Sequence, residues 1–266
     1  MHQALHIERI QGADRRTEED AVVIEEPLEI RLNGLPLAVT MRTPGQDEAL
    51  AAGFVLTEGI ISAPSELWDV TLCSDSEDPD RNNVATVFVP PELVAGIEAA
   101  GRQRYASSSC GLCGKAAIEE VFRIASPIQR PMSIRCDVIR SLPNRLRLEQ
   151  STFERTGGLH AAGLFDAECE PLFVAEDVGR HNTVDKVIGQ ALLSGCWPLD
   201  DTVLMVSGRA GFEIVQKALV ARIPAVCSVS APSSLAVDLA RNSGMILIGF
   251  LRGDRFNVYS SGEAIR

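Results

Sequence analysis

The chain has 266 residues, 45% of them hydrophobic but only 5% aromatic, and a formal net charge of −11. That length suits one large domain or two small ones with an aliphatic core, and the acidic balance argues against broad nucleic-acid binding. No apolar run reaches the ~18 residues of a membrane span. The polar start MHQALHIERIQGADRR also lacks a signal peptide's apolar segment, so a cytoplasmic location is expected.

The seven cysteines (Cys73, Cys110, Cys113, Cys136, Cys169, Cys196, Cys227) are odd in number and scattered, which suits a reducing compartment rather than a disulfide framework. Most are expected to be small buried hydrophobes, Cys227 in the strand-like PAVCSVS most plainly. Charge is uneven: residues 1–100 carry 6 basic and 19 acidic side chains, residues 101–155 carry 10 and 5. The basic zone surrounds a cysteine pair and continues through Arg130, Arg135, Arg140, Arg145 and Arg147. It reads either as a solvated helix face or as a place where anions are welcome.

In chain order, the first twenty residues are polar and expected to be loose. Asn33-Gly34 between the apolar runs of LEIRLNGLPLAVTMR signals a hairpin. TPGQDEALAAGFVLTEGII reads as a helix begun at Pro44-Gly45, with Leu50, Phe54 and Val55 at helical spacing. WDVTLC and NVATVFVP read as strands joined by an acidic tip, and 91–100 as a short helix. A helix is expected over 115–124, a strand in PMSIRCDV, and a helix in LPNRLRLEQSTF with Pro143 near its start. LHAAGLFDAECEPLFVAED reads as a second hairpin. Helices over 182–193, 211–221 and 233–241 then alternate with the strands TVLMVS, PAVCSV and MILIGFL, the pattern of a largely parallel sheet with helices on both faces. The expected division is a smaller N-terminal α+β domain, residues 1–136, ending in the cysteine segment and its helix, and an α/β domain, residues 137–266.

Parallel strands bring their C-terminal ends to one edge, where ligands of open α/β sheets bind. Here those ends run into EDVGRHN, SGRAG and SAPSS, each before a helix whose free N–H groups attract anions. Gly179, Gly208 and Gly211 permit close backbone approach, and Arg180 and Arg209 offer fork-shaped donors for phosphate. With His181 and Ser207, these residues are expected to form an anion or nucleotide pocket; small residues at ordinary helix starts are the plainer reading. His160 reads as structural. Ser207 lies outside any G-x-S-x-G elbow, so serine hydrolysis has little support.

The element order of the second half resembles the cytidine deaminase fold, implying an α/β/α domain with a mixed sheet. Zinc deaminases of that fold need a His or Cys ligand with a Glu two residues on, and a later Pro-Cys-x-x-Cys. His181 is followed by Asn182 and Thr183, and SGRAGFE holds no cysteine. Zinc deamination is therefore not expected.

The segment YASSSCGLCGKAAIEEVF holds Cys110 and Cys113. Four readings compete. Structural zinc needs a second ligand pair, and none stands at the right spacing, so no metal is expected. A thioredoxin-like disulfide couple suits C-x-x-C before a helix, but not this serine–glycine setting. A packing role suits neither serines nor glycines. The last reading is an exposed sulfur carrier, its thiolate favoured by the helix start and by Lys115. The chemistry of the residues leaves the redox and carrier readings both open.

SSSCGLCGK together with EDVGRHNTVDKVIG, SGRAGFEIVQKA, APSSLAVDLA and GFLRGDRFNVY resembles the formate dehydrogenase accessory sulfurtransferase family, the FdhD proteins. TPGQDEALAAGFVLTEGII and TGGLHAAGLF resemble further blocks of it, so the likeness runs from Leu28 to Tyr259 in order. The resemblance implies a sulfurtransferase that receives sulfur from a cysteine desulfurase as a persulfide on Cys110, with Cys113 assisting. The implied acceptor is the molybdenum or tungsten bis-molybdopterin guanine dinucleotide cofactor of formate dehydrogenase. It implies binding of that dinucleotide by the segment after the last core strand, Phe250, Leu251, Arg252, Gly253, Asp254 and Arg255. It further implies a homodimer with a deaminase-like C-terminal domain. A disulfide oxidoreductase and a non-catalytic cofactor-binding chaperone are the alternatives.

Overall fold

The described part of the chain forms three sheets and seven α-helices. The computed structural model describes residues 1–73, 83–99, 122, 125–129 and 132–266. The expected helix over 115–124 and both cysteines of the C-x-x-C segment lie outside these residues, apart from Phe122 in that helix.

The first twenty residues, expected to be loose, form a hairpin of β1 (His2–Gln11) and β2 (Asp14–Val23). Its turn is Gly12-Ala13, with Gly12 at φ 64, the left-handed region glycine takes without strain. A four-stranded sheet follows, ordered β4-β3-β6-β5, from β3 (Glu26–Leu32), β4 (Leu35–Arg42), β5 (Asp69–Cys73) and β6 (Val84–Phe88). Asn33 and Gly34 make the β3–β4 turn, both with positive φ, as their pairing in sequence implies.

Helix α1 (Asp47–Thr57) is apolar on every side, and all its residues but Glu48 are buried. It therefore needs cover all round. It packs against β5 and β6 on one side and against α5 (Arg180–Leu193) and α6 (Phe212–Val220) on the other. The α1–α5 crossing is backbone to backbone. A Cβ on Gly53 would sit 1.9 Å from the Asp185 carbonyl oxygen, and one on Gly189 1.8 Å from that of Ala49. Glycine is required at both positions. One buried cluster consequently runs from Leu28, Ile30 and Val87 through α1 to Val187, Leu204 and Leu247.

The six-stranded sheet is ordered β12-β11-β10-β9-β7-β8. Its strands are β7 (His160–Phe165), β8 (Pro171–Asp177), β9 (Val203–Val206), β10 (Ala225–Ser228), β11 (Ile246–Arg252) and β12 (Arg255–Ser260). Strands β9, β10 and β11 are parallel, as the alternation implied, and β7 and β8 form the expected hairpin. The helices α5, α6 and α7 (Ser234–Ser243) contribute to the cluster on one face. On the other face α3 (Cys136–Leu148) buries Ile139, Leu142 and Leu146 against Ala161, Met205 and Ile248.

Three further local expectations differ from the structure. PMSIRCDV is not a strand. Ile134 makes a lone bridge to Ile265, fixed by Ile134 N–H to the Ala264 carbonyl at 3.1 Å, and a helix starts at Cys136. Pro143 lies within α3 instead of near a start, and α4 (Ser151–Thr156) is a separate short helix after α2 (Pro91–Ala99) and α3. An interior proline costs about 3 kcal/mol. Burying three aliphatic side chains at about 1.5–3 kcal/mol each outweighs it. Last, the segment 250–255 does not trail from a final strand: it spans the end of β11, the Gly253-Asp254 turn and the start of an unexpected β12. No helix among the described residues is long and apolar enough to cross a membrane.

Candidate functional site

Because β7 runs antiparallel to both β8 and β9, strands β8, β9, β10 and β11 all point the same way. Their C-terminal ends, with the start of β7, form one edge. The loops from β8, β9 and β10 lead into the N-termini of α5, α6 and α7. Three sets of free N–H groups therefore lie along one rim, a setting that favours negative charge.

The β8 loop is nailed down from beneath. Asp177, fully buried, pairs with buried Lys186 at 2.7 Å. Asp177 also accepts from the backbone N–H of Gly179 at 2.8 Å and of Thr43 at 3.1 Å, and from Asn182 Nδ2 at 2.9 Å. Asn182 Nδ2 donates in turn to the Met41 carbonyl at 2.8 Å. This tie fixes the loop to the β4–α1 connection. Gly179 caps α5, where a Cβ would meet Asn182 Nδ2 at 2.7 Å. A second buried centre lies one turn along α5. Lys217 bonds both oxygens of Asp185 at 3.0 Å, Thr57 Oγ1 at 2.9 Å and Glu58 at 3.1 Å. Burial disfavours the Lys217 charge, but Asp185 and Glu58 outweigh it and raise its pKa, so the ammonium persists.

The predicted residues separate into frame and surface. Ser207 is frame: its Oγ accepts from Ala161 N–H at 2.8 Å and its own N–H donates to the Ala161 carbonyl at 2.9 Å, extending the β7–β9 ladder. Gly208 is close to His160, whose Nδ1 would lie 3.3 Å from a Cβ there, and its carbonyl accepts from Ser228 Oγ at 2.7 Å. Arg180 opens α5, half-buried, and Arg209 is exposed. His181 Nε2 is buried with no hydrogen-bond partner among the described residues, and lies 3.9 Å from Glu213. Burial first, then Arg180 and Lys217, push its pKa down to about 4, so the ring is neutral at ordinary pH. His160, read as structural, stands nearer to charge than expected. Burial and Arg180 lower its pKa while Asp177 opposes them.

The hairpin turn sorts in the same way. Leu251 is buried in the core, and Gly253, at φ 54, makes the turn. The Asp254 carbonyl accepts from Arg140 Nε at 3.2 Å, tying the turn to α3. Phe250, Arg252, Arg255 and Asn257 line an open hollow of about 260 Å³. Phe250 is exposed and held at φ 53, an unusual conformation for a bulky residue. Its N–H donates to the Ser230 carbonyl at 3.0 Å. A Cβ on the preceding Gly249 would meet Pro232 at 2.9 Å and the Ser230 carbonyl at 3.1 Å. The β10 loop and the hairpin are thus pressed together. Contacts run along the rim from His160 through Gly208, Ser228 and Ser230 to Phe250.

Sequence reasoning missed Asp177, Lys186, Asp185 and Lys217. The available signal was Asp185-Lys186 side by side between Val184 and Val187 in α5. It missed Asn257 because β12 was not anticipated. Cys110, Cys113 and Lys115 lie outside the described residues. Two other cysteines are buried: burial pushes the Cys169 thiol up to about 12 and the Cys227 thiol higher still, so neither forms a thiolate readily.

The arrangement gathers three helix N-termini along one rim, with exposed arginines and an exposed aromatic at one end, a setting that favours negative charge. Known proteins agree on kinship. The family model described as FdhD/NarQ matches residues 23–266. A protein from Streptomyces avermitilis described as sulfur carrier protein FdhD is 51% identical, over 97% of this chain and 93% of its own. One of the same description from Mycobacterium tuberculosis is 45% identical, over 94% and 93%. A crystal structure from Desulfotalea psychrophila, provisionally described as a formate dehydrogenase accessory protein, matches with a TM-score of 0.80. Its 24% identity, over 100% of this chain and 99% of that one, speaks for the fold alone. By sequence and by architecture, this mixed α/β chain belongs to the FdhD/NarQ family.

Proposed function

We propose that the protein is a sulfur carrier serving formate dehydrogenase, with Cys110 as the carrier atom's seat. The observation that carries this reading is the family match, whose span includes Cys110 and Cys113 and whose curated relatives are described as sulfur carriers. In the first step the Cys110 thiolate attacks the terminal sulfur of a desulfurase persulfide. The donor's S–S bond breaks, its cysteine leaves as a thiolate, and a new S–S bond forms on Cys110 without net oxidation. Cys113 assists in the onward transfer. The acceptor is the molybdenum or tungsten bis-molybdopterin guanine dinucleotide, a substrate here and not a resident group.

The rim suits one end of that acceptor. Phe250 offers an aromatic face to a base, while Arg252, Arg255, Arg209 and the N-termini of α5, α6 and α7 suit phosphate oxygens. Gly179, Arg180, His181 and Gly208 lie along the same edge, and Ser207 and Leu251 support it from within. We take residues 137–266 as a deaminase-like domain without deaminase chemistry, and the working protein as a cytoplasmic homodimer. Loading with a cysteine desulfurase and cysteine, followed by intact mass, tests the carrier. The wild type is expected to gain sulfur and Cys110→Ala to gain none. Equal loading of Cys110→Ala removes Cys110 from the role.

A further inference from the structure

One acid stands on a rim otherwise suited to anions. The loops from β8, β9 and β10 and the first turns of α5, α6 and α7 carry a single carboxylate, Glu213. Its side chain is 51% exposed and folds back over the start of α6, where Oε2 lies 3.4 Å from the place of a Cβ on Gly211. No donor among the described residues hydrogen-bonds it. An acid in the first turn of a helix answers the helix dipole, but that use does not explain its neighbour. His181 Nε2, at the start of α5, lies 3.9 Å away, buried and without a hydrogen-bond partner among the described residues. The ring is neutral and the separation too long for a hydrogen bond between the two. Buried polar atoms are nearly always satisfied. An orphaned imidazole nitrogen beside an unbonded carboxylate therefore calls for a group that brings donors to both.

We propose that Glu213, with His181, recognises the aminopyrimidinone edge of a pterin ring. That edge presents a ring N–H beside an exocyclic amino group. Two of its hydrogens point the same way and match the two oxygens of a carboxylate. The remaining amino hydrogen suits an imidazole nitrogen, which a neutral histidine can offer as an acceptor. Glu213 is exposed, so a change of rotamer suffices to let the ring in beside Nε2. A phosphate in the same place would meet the carboxylate's charge, which leaves phosphate to the arginines nearer the hollow. Guanine carries the same edge, but the aromatic side chain suited to a base is Phe250, in the hollow on β11 and β12. Glu213 follows β9, which lies two strands from β11 in the order β11-β10-β9, roughly 10 Å along the rim at the usual strand spacing. A base at Phe250 and a pterin at Glu213 thus place the two ring systems of one dinucleotide at separate points, with its phosphates between them. The inference rests on the reading of the acceptor as a pterin dinucleotide and assigns its second ring a place.

The test compares pterin with lumazine, the same bicycle with an oxygen in place of the amino group, by fluorescence titration. In lumazine that oxygen would face Glu213 acceptor to acceptor. The wild type is expected to bind pterin at least about tenfold more tightly than lumazine. Glu213→Gln exchanges one acceptor oxygen for a donor and is expected to lose that preference. Guanosine diphosphate, bound at the hollow, is expected to bind the variant within about threefold of the wild type, which shows that the rim is intact. A wild type without the preference, or a Glu213→Gln variant that keeps it, overturns the proposal. Equal loss of pterin and guanosine diphosphate overturns it as well, since Glu213 would then support the rim and read no ring. Persulfide loading of the wild type involves no pterin and is scored separately. A protein that takes sulfur but shows no preference loses this inference alone; one that shows the preference but takes no sulfur loses the carrier reading alone.

Discussion

Two sets of cations serve opposite ends at the sheet edge. Lys186 and Lys217 are buried and hold several oxygens each, Lys217 joining α1, α5 and α6 through Thr57, Asp185 and Glu58. Arg209 and Arg255 are exposed, and Arg252 uses Nε on the Val229 carbonyl while the rest of its guanidinium faces outward. No carboxylate among the described residues pairs with these three arginines. The buried lysines set the shape of the rim, and the exposed arginines leave it able to take an anion.

The sharpest way to break this contrast is Lys217→Met, which leaves Asp185 buried without its cation. A loss of about 3–5 kcal/mol is expected in urea unfolding. Adding Asp185→Leu removes the orphaned charge and is expected to recover much of it; no recovery would mean that the pair itself supplies the stability.

His181 comes next. Its pKa is held near 4 in the folded protein against about 6.5 unfolded. The unfolded chain therefore binds the extra proton first as pH falls. His181 stability is fully present above pH ~6.5 and is lost progressively down to pH ~4, on the order of 3 kcal/mol in all. Unfolding measured over that range is expected to decline less steeply in His181→Gln. An identical slope would show that the ring is not shielded.

Gly53→Ala acts on the frame without touching charge. Its Cβ cannot fit beside the Asp185 carbonyl, so α1 and α5 must separate, at a cost of about 1–3 kcal/mol. The smallest effect on stability belongs to Arg252→Ala with Arg255→Ala, within roughly 0.5 kcal/mol. The same pair is expected to weaken binding of guanosine diphosphate, used as a probe and followed by calorimetry, by more than tenfold. A stable variant with undiminished binding would move the anion site elsewhere on the rim.

Much of the frame was readable in the residues, because β9, β10, β11 and the helices between them alternate in strict order and their strands are uniformly apolar. The place of the three loops followed, since the C-terminal ends of parallel strands must share one edge of the sheet. The N-terminal hairpin was missed because its strands are charged on both faces, although Gly12-Ala13 is a two-residue turn of the glycine-first kind. β12 was missed because Arg255-Phe256-Asn257-Val258 is a half-exposed edge strand with little hydrophobic signature. The lone bridge at Ile134 depends on the distant C-terminus, which no local pattern reveals. The paired lysines were hard to read for a related reason: beside Asp177 and Asp185, Lys186 holds the Thr43 carbonyl and Lys217 holds Thr57 and Glu58, more than a hundred residues away. Phe250 was named through family likeness, but its left-handed backbone and the hollow beside it are features of the folded chain alone.

The central claim is that Cys110 carries the sulfur, and it is tested most directly in cells lacking their own copy of this protein. Formate dehydrogenase activity is measured after supplying the wild type or Cys110→Ala at equal abundance. The account predicts that the wild type restores activity and that Cys110→Ala leaves it at background. Full restoration by Cys110→Ala would contradict it, leaving a protein that holds the cofactor and carries no sulfur.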